Sequence, residues 1–274
     1  MQIDNDLLDF AIKNKLSEPI FRLYAWSPAC VSLGRNQNDD FLDKEFLKSK
    51  NIDVIKRLTG GRALLHDKEL TYSYICPIAS LQNGESVVNS YKEISKNLVK
   101  GFEKLGIELK FGQSDCVKTL RKHTSCRNLK YRLYIKRPYS RISQIIENMR
   151  SRLSTLSVII QNPCRGMTRR VFTQPQGKKP HTKQDYCMSI STGADLSFEG
   201  KKFIGSAQFR KEGYILQHGS VLFNYNKDLI EQLFNEKVDE NSLTCLNLIN
   251  PDISCEEVIR ALHDTFINQG GQVV

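Results

Sequence analysis

Three strand-like runs follow one another across residues 186–224: YCMSISTGADLSF, KKFIGSAQF and YILQHGSVLFN. Each mixes apolar and polar residues at close to the two-residue rhythm of a half-buried strand. Between the first and second lie only Glu199 and Gly200. A link that short joins antiparallel neighbours, because parallel strands need a crossover of a dozen or more residues. This part of the chain must therefore build sheet out of hairpins. If KKFIGSAQF is regular, Lys202, Ile204 and Ser206 share one face and Phe203 takes the other.

The rest of the sequence adds helices to that sheet. Ile3, Leu7, Leu8, Ala11 and Ile12 lie on one helical face, and Pro19 closes the unit. IFRLYAW and ACVSLG read as strands, FLDKEFLKSK as a short helix and IDVIKR as another strand. RALL and LTYSYIC follow as strands after the turn TGG. Val87, Tyr91, Ile94, Leu98, Phe102 and Leu105 recur at helical spacing until Gly106 stops them, and IELKF is a strand. KDLIEQLF is a helix, and Ser254 with Glu257 forms a capping box ahead of Val258, Leu262 and Phe266. The expectation is an α+β fold, a mixed and largely antiparallel sheet flanked by helices, in one domain over residues 1–274.

One stretch departs from this pattern. Residues 114–184 hold 17 of the chain's 40 Lys and Arg and two of its 30 Asp and Glu, so the net charge of +10 resides here and the remainder is acidic. A structureless loop this long inside a compact domain is unusual. It reads as an atypical basic insertion. A solvated linker and an RNA-binding arm are the alternatives for it, the linker being favoured. A nucleic-acid-binding protein acting through this segment is accordingly the reading from a different functional class.

No apolar run approaches the roughly 20 residues of a membrane span. The start, MQIDNDLLDFAIKNK, lacks the basic and then apolar layout of a secretory signal, so the cytoplasm is expected. The eight cysteines are scattered with no CxxC pair, which predicts neither a disulfide framework nor a metal site. Any reactive thiol among them needs a local reason.

Three constellations carry chemistry. In RLTGGRALLHD, Arg57, Gly60, Gly61 and His66 surround a pair of glycines that allows close backbone approach to a ligand; an ordinary Gly-Gly hairpin fits equally well. In KKFIGSAQF, Gly205 stands where a side chain would obstruct a ligand, although a lysine such as Lys202 is more often exposed than buried. Cys187 suits a half-buried strand as a core thiol. It becomes reactive only if a cation such as Lys202 faces it across the hairpin.

RLTGGRALLHDKELTYS, GKKFIGSAQFRKEGYILQHGSVLFN and FRLYAWSPACVSLGRNQ together resemble the lipoate-protein ligase and octanoyltransferase group, whose catalytic domain is shared with biotin ligases. The likeness covers about residues 1–112 and 185–240. Within that group, cysteine-dependent octanoyltransferases carry a cysteine fifteen residues before the lysine of the GSA strand, the spacing of Cys187 and Lys202 here. The resemblance implies Cys187 as acyl-carrying nucleophile and Lys202 as its electrostatic partner. Arg57, Gly60, Gly61 and His66 are expected to line one wall of the acyl pocket, and Gly205, Ser206 and Ala207 the other. Leu64 and Ile204 would accept the eight-carbon tail. It further implies octanoyl acyl carrier protein as donor and a lysine of a lipoyl-accepting protein, such as the glycine-cleavage H protein or a dehydrogenase lipoyl domain, as acceptor. No cofactor is then needed. The alternatives within the group are an ATP- and Mg-dependent lipoate ligase, in which Cys187 is incidental, and a lipoyl-domain amidotransferase. His218 in LQHGS reads as a hydrogen-bonded structural histidine.

Overall fold

A computed structural model of the chain describes residues 1–112, 186–189, 195–267 and 272–273. The basic insertion expected at 114–184, and any helix near 141–157, lie outside the described residues.

Ten strands and six helices are described. In chain order they are α1 (Gln2–Lys13), β1 (Ile20–Tyr24), β2 (Cys30–Leu33), α2 (Lys44–Ser49), β3 (Asp53–Lys56), β4 (Leu64–His66), β5 (Glu69–Pro77) and α3 (Val87–Glu103). There follow β6 (Lys110–Phe111), β7 (Leu196–Phe198), β8 (Lys201–Lys211), β9 (Tyr214–Leu222), α4 (Lys227–Phe234), α5 (Leu246–Ile249), α6 (Cys255–Ile267) and β10 (Gln272–Val273). The strands form a seven-stranded sheet, ordered β10-β1-β5-β9-β8-β7-β6, and a three-stranded one, β3-β2-β4. The large sheet is antiparallel except where β10 joins β1, and the small sheet is mixed. The α+β architecture read from the sequence is the one observed.

Alternation along β5 and β9 separates two environments. Leu70, Tyr72, Tyr74 and Cys76 of β5, with Ile215 and Val221 of β9, pack under α3 and α6 through Ile94, Leu98, Phe102, Val258, Leu262 and Phe266. The opposite face meets α1 through Ile75 and Leu216 against Leu8 and Ala11. Toward the small sheet, Leu222 joins a second core with Val31, Leu33, Leu65, Tyr186 and Met188.

The GKKFIGSAQ strand departs from the simple alternation. Leu196 pairs with Ile204 but Ser197 with Lys202, so β8 carries one extra residue, Phe203, at a bulge. Phe203 and Ile204 therefore both enter the helix-covered core. Lys202 does not share the face of Ile204 and Ser206. It emerges beside Gly205 on the side of the small sheet, where a methyl on Gly205 would lie 3.2 Å from Lys202 Cε and 3.1 Å from Met188 Sδ.

Candidate active site

Three backbone segments converge on that side of β8. The first is the glycine loop, residues 57–63. It is not a hairpin, because β3 and β4 both pair with β2 and the loop arches over the end of β2 between them. Gly61 has φ of +94°, and its carbonyl sits hard against Gly34, where no side chain can be accommodated. Gly60 is exposed, with open space where a Cβ would stand.

Arg57 holds this loop from beneath. It is buried, its Nε donates to Thr59 Oγ1 (3.1 Å), Nη1 to the Ser32 carbonyl (2.9 Å), and Nη2 to the carbonyls of Gly60 (3.0 Å) and Arg62 (2.6 Å). The fork of a guanidinium suits this multiple capture. Burial draws its pKa below the ordinary value, and the nearby Cys187 works in the opposite direction. His66, on β4, is also buried: Nδ1 contacts Glu69 Oε1 (3.0 Å), Nε2 contacts Ser32 Oγ (2.8 Å), and the ring stacks on Trp26. Both residues thus meet at Ser32 and face into the loop's scaffold.

The second segment bears Cys187. The sequence suggested a strand here; Cys187–Ser189 is instead a single 3-10 turn. The reason is its anchorage. Tyr186 bridges in parallel to Ala63, and the Cys187 N–H donates to the Ala63 carbonyl at 2.7 Å, so the backbone of the turn pairs with the end of the glycine loop instead of continuing a strand beside β8. Cys187 is half-buried, while Tyr186 and Met188 on either side are buried in the small-sheet core.

The third segment is β8. Lys202 is 2% exposed. Across the hairpin its partner is Ser197, not Cys187. Its Nζ nonetheless reaches the Cys187 turn, donating to the Cys187 carbonyl at 3.0 Å, and pairs with Asp195 Oδ2 at 3.0 Å. The lysine backbone is held by Ser242 and Thr244, which supply its strand partners before β9 takes over at Ile204. Gly205 leaves the room the lysine chain occupies. Ser206 turns to the other face, where its hydroxyl meets Tyr72 (2.6 Å), and the Tyr72 hydroxyl accepts from Gln217 (2.8 Å). Burial, before any other cause, pushes Tyr72 well above its ordinary pKa. Ala207 pairs with His218 across β8 and β9. Ile204 is wholly buried in the helix-covered core and Leu64 in the small-sheet core.

Of the residues singled out in the sequence, Cys187, Lys202, Gly205 and the Gly60 and Gly61 loop are brought together. Arg57 and His66 stand behind the loop, and Ser206 behind β8. Two further participants escaped sequence reading. Asp195 is buried and supplies the counter-charge to Lys202; a lysine known to be buried would have demanded one. Thr59 is also buried, and its hydroxyl joins Arg57 to His218, 159 residues away. Among the described residues no group of three His, Cys, Asp or Glu side chains is placed to hold a metal ion.

This arrangement brings the half-buried Cys187, the Lys202 ammonium and the glycine loop together, and a thiol with a cation nearby is equipment suited to acyl transfer. The model of the lipoyl protein ligase A/B catalytic domain matches residues 1–267. The chain belongs to that family. Curated proteins similar to this chain include octanoyltransferases named LipM. The one from Staphylococcus epidermidis is 30% identical over 86% of this chain and 66% of its own length. That from Staphylococcus aureus is 28% identical over 97% and 75%, and that from Bacillus subtilis 27% identical over 97% and 80%. Among solved structures, a Thermoplasma acidophilum protein described as a lipoate protein ligase, with bound lipoic acid, has a TM-score of 0.60 at 16% identity, covering 100% of this chain and 82% of the other. Lipoate-protein ligase A bound with ATP gives 0.57 at 17% identity, covering 97% and 82%. At such identities the structures establish the lipoyl ligase A/B fold alone.

Proposed function

We propose that the protein is an octanoyltransferase of protein lipoylation, which moves an octanoyl group from acyl carrier protein to a lysine of a lipoyl-accepting protein through a thioester on Cys187. An acyltransferase acting in lipoylation is what the family and the run of octanoyltransferase relatives support. The observation that supports the finer reading is the 3.0 Å hydrogen bond from Lys202 Nζ to the Cys187 carbonyl, which ties the ammonium to the residue that bears the thiol.

In the first step the Cys187 thiolate attacks the donor's thioester carbonyl. A new C–S bond forms, the bond to the carrier's thiol breaks, and that thiolate leaves and is protonated. In the second, the deprotonated acceptor amine attacks the Cys187 thioester. The C–N bond forms, Cys187 departs as thiolate, and the amine's surplus proton is released. Thioester exchange is close to energy-neutral and amide formation runs downhill, so neither ATP nor Mg is required. Splitting one transfer into two is the advantage of a covalent nucleophile. Lys202 offsets the thiolate charge and then the carbonyl oxyanion, a role whose loss typically costs about 10²–10³ in rate. Gly60, exposed and with open space where a Cβ would stand, lets the thioester approach the loop backbone closely, while the space at Gly205 is taken by the Lys202 chain. We place the reaction in the cytoplasm, where a nucleophilic thiol stays reduced.

Incubation with octanoyl acyl carrier protein and no ATP, followed by mass spectrometry, tests this. A single octanoyl adduct is expected on Cys187, absent in Cys187→Ala. Undiminished transfer by Cys187→Ala that depends on ATP would replace the reading with a ligase.

A further inference from the structure

Asp195 takes no part in the steps above, yet it is buried at their centre. Its two carboxylate oxygens serve different elements. Oδ2 pairs with Lys202 Nζ at 3.0 Å, and Oδ1 accepts the Ser206 N–H at 3.4 Å. Ser206 lies two residues beyond the last β7–β8 pair, Leu196 with Ile204, so on that edge the carboxylate stands where a strand would otherwise continue. The Asp195 carbonyl in turn accepts from Gly112 N at 3.0 Å, which ties the residue to the segment leaving β6. Asp195 is thus fixed at its backbone and at one oxygen before the other meets the lysine.

Lysine is a compact charge on a flexible four-carbon stem. The stem of Lys202 passes the space left by Gly205, which constrains its path but not the last bond. The tip is constrained by two oxygens at the same distance, Asp195 Oδ2 and the Cys187 carbonyl. An ammonium buried this deeply is costly without an opposite charge, so the carboxylate decides where it settles. We infer that Asp195 is a positioning residue of the transfer site: it holds the Lys202 ammonium over the Cys187 turn, referenced to β8 through Ser206. The inference rests on the proposed function only in that Lys202 must act in the transfer.

A double-mutant cycle on the full chain tests it, with octanoyl transfer from octanoyl acyl carrier protein as the readout. Lys202→Met is expected to lower kcat about a thousandfold. Asp195→Asn is expected to lower kcat about a hundredfold, with KM for the carrier within about twofold, because a misplaced group affects the transition state more than binding. Asp195→Glu keeps the charge and should recover at least about tenfold of that loss. The double variant, which removes both charges and leaves neither one buried alone, should match Lys202→Met within about threefold. Losses that multiply in the double variant, or an Asp195→Asn enzyme with full kcat, overturn the inference while leaving the transfer reading standing. Full activity in Lys202→Met overturns the role of the lysine itself, and this inference with it.

Discussion

Lys202 and Gly205 stand three residues apart on β8, and the position of the first depends on the second having no side chain. A methyl at Gly205 would lie 3.2 Å from Lys202 Cε, 3.5 Å from its Nζ and 3.1 Å from Met188 Sδ. A lysine tip free in solvent would simply move away. This one is pinned between Asp195 and the Cys187 carbonyl and can yield only by lengthening those contacts. Gly205→Ala is therefore expected to fold and to lower the transfer rate about tenfold, since small misplacements of catalytic groups are costly. Steady-state kinetics beside a thermal melt checks this; an unchanged kcat would show that the lysine has slack. The glycine itself was legible in the sequence as a place where bulk is excluded. What excludes it was not: a strand read in strict alternation puts Lys202 on the far side from Gly205, and only the bulge at Phe203 turns the two together.

At the scale of elements, α1 is more than an amphipathic cover. Its apolar face was readable from Leu8 and Ala11, both buried, but Asp4 is buried with them. The Asp4 carboxylate accepts from Arg22 of β1 at 2.7 Å and from the Tyr24 hydroxyl at 2.7 Å. Burial alone would raise its pKa; the Met1 amino group, Arg22, His218 and the Tyr24 hydrogen bond outweigh that and hold it below the ordinary carboxylate value. The helix is thereby latched to β1 of the large sheet by charge. Removing one partner of such a pair strands the other, at a cost of about 3–5 kcal/mol. Asp4→Ala should lose stability on that scale in urea unfolding, whereas Asp4→Ala combined with Arg22→Met should lose distinctly less. Equal losses would mean that the pair contributes nothing as a pair. Helical periodicity scores an aspartate as solvent-facing, so this latch is invisible without its partner, 18 residues downstream.

Across the whole molecule, polar groups link α1 to the glycine loop through His218. Arg57 Nε donates to the Thr59 hydroxyl, that hydroxyl lies 2.6 Å from His218 Nε2, and His218 Nδ1 stands 4.0 Å from Asp4 Oδ2. His218 is buried, and that burial lowers its pKa to about 3; Asp4 opposes this, while Arg57, the Met1 amino group and His66 reinforce it. Above about pH 6.5 the ring is neutral in folded and unfolded chains alike. Below that value the unfolded chain takes up a proton that the folded one refuses, so stability falls with pH until about 3. The Asp4 contribution is retained through the upper part of this window, down to about pH 4, because a depressed carboxylate loses its effect only below its unfolded value; below that pH it too is lost. Urea unfolding should show about 1 kcal/mol less stability at pH 5 than at pH 6, a slope that His218→Gln removes. A slope that survives the substitution would place its origin elsewhere. The reading of His218 as a hydrogen-bonded structural histidine thus agrees with its surroundings, though its partner Thr59 could not be named in advance. The same division runs through the protein. Strand rhythm, helix spacing, the capping box at Ser254 and the short turn at Glu199 and Gly200 are local, so the sequence by itself determined most of the elements, though not the turn at Cys187, together with the α+β class and the motifs that resemble the octanoyltransferase group. The meeting of Cys187 with Lys202 was decided only in three dimensions. It depends on the Cys187 turn docking on Ala63, on a bulge that redirects β8, and on an aspartate that makes a buried ammonium tolerable. Each of these joins residues whose proximity no local pattern encodes, because burial and charge pairing depend on what the fold brings alongside.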